Sequence, residues 1–221
     1  MITARYRSDY DGEFIVTETR LVDGVKQQAR EWIPNAVTNC HISGRAAVIG
    51  SRFDEQRFRH QRLERHQGGL LARKRLQTYG WGDIWQDMRL DFYASSDRKQ
   101  LSQIAQRDYE RSTIIFTSPS CVIEWPGRFY PVPYTPYLTD MATALYLASF
   151  DQHEEVFLLG VNCDVAWPDK NVVPDMTAVM TAYRGTQYIS VGAPAGQHEE
   201  WLALPNFRTM PLREFISYCD I

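Results

Sequence analysis

The sequence predicts an α/β protein, a mostly parallel sheet flanked by helices with an N-terminal β-hairpin. Three observations predict it. From residue 45 onward, short continuous apolar runs, above all Glu155–Gly160, alternate with segments of helical period. That is the pattern of strands buried on both faces and joined by helical crossovers. Residues 12–33 instead alternate with period two around Asp23–Gly24, and an Asp-Gly pair between alternating runs marks a tight hairpin with positive φ at both turn positions. The 221 residues are 44% hydrophobic and 23% charged, globular values that exclude disorder, collagen and coiled coil. A chain of this length buries roughly 70% of its unfolded surface without needing disulfides or a structural metal.

The elements follow in order. Pro34, Asn35 and Asn39 break the hairpin pattern, so residues 1–40 are expected to be hairpin and linker packed on the core, and residues 41–221 the α/β domain. Ala46–Ile49 is a short strand ending at Gly50–Ser51, followed by a polar helix over about 54–66 that Gly68–Gly69 stops. Leu70–Thr78 reads as extended, Trp81–Met88 as a short helix and Leu90–Ala94 as a strand. Asp97–Tyr109 reads as a helix capped by Ser95 or Ser96. Thr113–Phe116 is a β-branched strand ended by Thr117-Ser118-Pro119-Ser120. Prolines 126, 131, 133 and 136 make 126–137 a loop or edge strand. Thr139 caps a helix running to Phe150, and its Ala142, Ala144 and Ala148 are small enough to pack close to a sheet. A helix over Asp175–Tyr183, a strand over Gln187–Val191 and a helix over Leu212–Cys219 complete the chain.

The longest apolar stretches, such as Val156–Val161, are far shorter than the 18 or so residues of a membrane span. The charged N-terminus (Arg5, Arg7, Asp9, Asp11) does not resemble a signal peptide. Four scattered cysteines without a CxxC read as reduced thiols, and a cytoplasmic location is expected. The net charge of −3 conceals a segregation. Residues 45–75 hold nine basic side chains against Asp54, Glu55 and Glu64, a local +6 set in a remainder of −9. Of the 24 basic residues only Lys26, Lys74, Lys99 and Lys170 are lysine, and arginine suits bidentate capture of phosphate or carboxylate. The segment reads either as a surface for nucleic acid or an acidic partner, or as the solvated face of a helix at Arg57, Arg62 and Arg65.

In open α/β sheets ligands bind beyond the carboxyl ends of the strands. The candidate ligand residues are therefore those that follow each strand: Gly50, Ser51 and Arg52, then Ser95, Ser118, Asn162 and Gly192. Asp164 is the candidate catalytic residue, suited to hold a ribose or sugar hydroxyl or to act as a base. Gly50 permits a sharp turn and Arg52 a charge-assisted bond to an anion. Helix capping selects the same residue types for local reasons. Tyr134, in the stiff aromatic segment 129–137, is placed either to meet a base or sugar ring or to cover the sheet edge. There is no GxGxxG, no P-loop and no GxSxG elbow, and the five histidines show no zinc spacing, so no metal is expected.

The Pro-rich segment, Leu138–Ala148 and Glu155–Asp164 together resemble a pattern in bacterial sialyltransferases and related Rossmann-like glycosyltransferase and DUF115-type proteins. The resemblance covers about residues 110–165. It implies a Rossmann-like sheet, a nucleotide or nucleotide-sugar donor at the strand ends, and glycosyl transfer with Asp164 positioning the donor or acting as base. The family's G-x-G-P-S phosphate turn is matched only by Gly50–Ser51, and its catalytic histidine has no counterpart. A second likeness, through Tyr6–Phe14, Arg30–Asn35 and His41–Ala46, is to uncharacterised proteins of large tailed bacteriophages. It implies a setting in the host cytoplasm and no particular activity.

Overall fold

A computed structural model describes residues 2–6, 13–34, 44–50, 63, 76–133, 138–161, 171–192 and 199–219, with side chains at 19–28 but not elsewhere before residue 44. The fold is α/β: an eight-stranded parallel sheet flanked by helices, and a separate three-stranded antiparallel sheet at the N-terminus. The chain divides into two compact units, residues 1–40 with 95–137, and residues 41–94 with 138–221.

In the first unit, β1 (Ile2–Tyr6), β2 (Glu13–Val22) and β3 (Val25–Pro34) form the antiparallel sheet, in that order. The expected hairpin is β2–β3, with Val22 opposite Val25. Asp23 (φ 51°) and Gly24 (φ 78°) take the positive φ values that the turn requires. β1 adds a strand that the sequence pattern did not reveal.

The second unit carries most of the large sheet. It supplies β4 (Arg45–Ile49), β5 (Gln77–Gly80), β6 (Phe92–Ala94), β9 (Glu155–Leu159), β10 (Gln187–Val191) and β11 (Phe207–Met210). β7 (Ile114–Thr117) and β8 (Tyr130–Pro131) belong to the first unit and pair in parallel. The order is β11-β10-β9-β4-β5-β6-β7-β8. From β4 the chain winds outward one way through β5 and β6, then starts again on the other side with β9, β10 and β11. The winding reverses between β4 and β9, which are paired in parallel from Arg45–Glu155 to Ile49–Leu159.

Helices cover both faces, because β4 and β9 are apolar on both. α3 (Asp140–Phe150) lies on β4, β5 and β6, and nine of its eleven residues, Met141–Ser149, are buried. Its last turn meets the face of Tyr79, Leu158 and Tyr188: Ser149 Oγ lies 2.8 Å from Tyr188 Oη. Just beyond it, Tyr79 Oη donates to Asp151 at 2.6 Å and lies 2.9 Å from His153 Nε2. α6 (Leu212–Cys219) covers the opposite face, with Phe215 5.0 Å from the Phe157 ring. α4 (Val172–Ala182) packs on α3. α5 (Glu199–Leu202) is tied to it by Trp201, whose indole N–H donates to Thr177 at 2.9 Å. The Asn206 amide donates to Met180 O at 3.0 Å and Thr186 O at 3.1 Å, locking the α4–β10 connection in front of β11.

Local expectations needed three corrections. The cap of α1 (Arg98–Gln106) is Asp97, which accepts from Lys99 N (2.7 Å) and Gln100 N (3.4 Å); Ser95 instead accepts from Asp97 N and donates to Gln100. Pro119 begins a short helix, α2 (Pro119–Glu124), because proline fits the first helical position. Thr139 stands at the N-cap of α3 but makes no side-chain capping bond. The expected polar helix at 54–66 lies outside the described residues except Leu63, which is helical and buried. No helix among the described residues is long and apolar enough to cross a membrane.

Two buried groups give the fold an alkaline limit. Burial pushes the Tyr188 phenol up to about 12, against the lowering effect of its bonds to Ser149 and Thr186. Burial likewise pushes the Cys219 thiol up to about 11, partly offset by Arg45. Both raise the pKa of a group held neutral. Their stabilisation is therefore complete below the unfolded values of 9.0 and 10.0 and is lost as pH rises through about 11 and 12. Thermal melts should show Tm falling between pH 9 and 12. Tyr188→Phe should cost about 1 kcal/mol at neutral pH, for one lost hydrogen bond, and flatten the fall above pH 10. A variant whose profile parallels the parent's there would contradict the assignment.

Candidate functional site

Parallel strands align their carboxyl ends on one edge, and a reversal of winding opens a crevice there because the flanking connections diverge. By that rule the candidate crevice lies beside Gly50 and Gly160, where the winding reverses between β4 and β9. Gly50 N donates to Leu159 O at 2.9 Å, carrying the β4–β9 ladder one residue past the strand. Gly160 then turns the chain with φ 68°, and Gly192 does so after β10 with φ 121°. Three adjacent strands, β4, β9 and β10, are therefore each followed in register by glycine.

Gly50 has a packing reason as well. A Cβ there would lie 2.5 Å from the Cη2 and Cζ2 atoms of Trp81 and 3.1 Å from Gly160 O. Trp81 directly follows β5 and is 7% exposed. Tyr93 Oη donates to Gly82 O at 2.6 Å and holds the turn that carries this indole. The indole thus walls the crevice on the β5 side. Sequence reasoning selected Gly50 and missed Trp81; the available signal was an aromatic residue between two glycines, Gly80 and Gly82, immediately after a strand.

The same edge receives a helix terminus. α3 leads into β9, so it runs antiparallel to the strands. Its eleven residues and the five of β9 each span about 16 Å at 1.5 and 3.3 Å per residue, so its first turn lies toward the carboxyl ends of β4, β5 and β6, the strands it packs on. The first-turn amides have no intrahelical acceptors, and the N-cap side chain does not supply one. Thr139 Oγ1 is buried without a hydrogen-bond partner. Thr139 N donates to Asp175 Oδ2 at 2.8 Å, so the first turn of α4 is fastened to that of α3. Asp140 adds a carboxylate to the same turn. The arrangement offers amide and hydroxyl donors beside acidic acceptors. These are the groups that hold a phosphate or carboxylate at one end and sugar hydroxyls at the other.

Of the candidate residues, Gly50 lies at the crevice and Gly192 ends β10 on the same edge. Ser51, Arg52, Tyr134, Asn162 and Asp164 lie outside the described residues. Ser95 and Ser118 belong to the first unit. There Ser95 N donates to Phe116 O at 3.2 Å. The Ser118 hydroxyl lies 3.0 Å from that of Ser120 and donates to Cys121 Sγ at 3.3 Å. Thr117 Oγ1, one residue earlier, is buried without a partner.

Of the arginine-rich segment, Arg45 alone is described, and it serves the amino edge. Its Nε meets Glu155 Oε2 at 3.0 Å, and its guanidinium lies 4.3 Å from the centre of the Tyr218 ring. Tyr218 Oη donates to both Glu155 oxygens at 3.0 Å. Burial opposes the Arg45 charge, but Tyr218 and Glu155 outweigh it and hold its pKa above the ordinary value.

Comparison of the chain with protein-family models, with curated proteins and with solved structures gives no match. The fold itself defines a doubly wound, Rossmann-like α/β protein.

The Gly50–Trp81 contact makes a coupled prediction. Gly50→Ala should destabilise the chain by about 1–3 kcal/mol through overpacking, and by much less in a Trp81→Ala background. Denaturant unfolding of the two single variants and the double variant should give a coupling energy of at least about 0.5 kcal/mol. Additive effects would show that Trp81 does not impose the glycine.

Proposed function

We propose that this protein binds a nucleotide or nucleotide-sugar in the crevice between β4 and β9, with glycosyl transfer as its reaction class. One observation carries the reading: the winding reverses between β4 and β9, and the residues that follow these two strands, Gly50 and Gly160, lie side by side on one edge. Such an edge suits an anionic ligand because the dipole of a helix that starts there favours negative charge. Gly160 turns the chain with a positive φ beside this edge, and Trp81, which fills the space over Gly50, is an apolar neighbour. In this reading Arg52, two residues beyond Gly50, neutralises the phosphate. Asn162 and Asp164, two and four residues beyond Gly160, hold the sugar, and Asp164 positions the donor or takes a proton from the acceptor hydroxyl. The sialyltransferase-like segment at 110–165 supports the choice of nucleotide-sugar among anionic ligands. The chain's own groups do the binding and orienting, and no resident metal is invoked.

A thermal-shift panel of nucleotides and nucleotide-sugars tests the reading. A ligand at 100 times its Kd stabilises the folded state by about 2.7 kcal/mol, which for a chain of this length raises Tm by roughly 5–10 °C. Arg52→Ala and Asp164→Ala should each abolish that shift while leaving the unliganded Tm within about 2 °C. No shift with any nucleotide at millimolar concentration would overturn the proposal.

A further inference from the structure

We draw no further inference here: the strongest candidate, the exposed apolar tip of the β2–β3 hairpin formed by Leu21, Val22 and Val25, is an unpartnered surface, and nothing among the described residues shows what covers it.

Discussion

The pairing of β4 with β9 is the constraint on which the rest of the second unit depends. It joins Arg45 to Glu155 across 110 residues of chain, and closing a loop of that length costs about 4 kcal/mol beyond the constant term. The return is local and apolar. Val48, Ile49, Phe157, Leu158 and Leu159 are all 0–1% exposed, and each such side chain contributes about 1.5–3 kcal/mol when fully buried. Two or three of them offset the closure. Once this pair is set, β5 and β6 extend the sheet one way and β10 and β11 the other. The reversal of winding is therefore a consequence of which two strands meet in the middle.

The same pairing gives the two edges of the sheet opposite character. At the amino edge, Arg45, Glu155 and Tyr218 close on one another, and Arg208 Nη2 reaches Glu155 at 3.7 Å. One carboxylate there ties β4, β9, β11 and α6 together, and its side chain is only 19% exposed. At the carboxyl edge, glycines follow three of the strands, an indole fills the space over Gly50, and α3 begins without a side-chain cap. Between the edges, the buried Tyr79–Asp151–His153 cluster and the Ser149–Tyr188 contact satisfy the polar groups beneath α3, as burial in a low-dielectric interior demands.

How much of this was legible in the sequence varied with the kind of signal. β9, β10 and α6 were found almost to the residue, because continuous apolar runs and helical periodicity survive tertiary packing. The Asp23–Gly24 turn was legible because its backbone requirement names its residues. β11 was not: only Phe207 and Met210 face inward while Arg208 and Thr209 are exposed, a pattern with neither period, and its strand character comes from pairing with β10. α2 was hidden because Pro119 reads as a terminator until its place at the first helical position is seen. The candidate site was half legible. The rule that ligands sit beyond strand ends selected Gly50, but it gave no weight to Trp81 or to the first turn of α3. Neither belongs to a motif, and both come to this edge only through the strand order.

In the proposed function, the ligand binds at the carboxyl edge beside the β4–β9 reversal. Backbone-amide NMR during titration with a nucleoside monophosphate and with a nucleoside diphosphate-sugar tests it most directly. The account predicts that the largest shift changes fall on Gly50, Gly160 and the first-turn amides of α3, Asp140–Ala142, and that Arg45, Glu155 and Arg208 stay unmoved. Changes confined to the amino edge, or none at millimolar ligand, would contradict it.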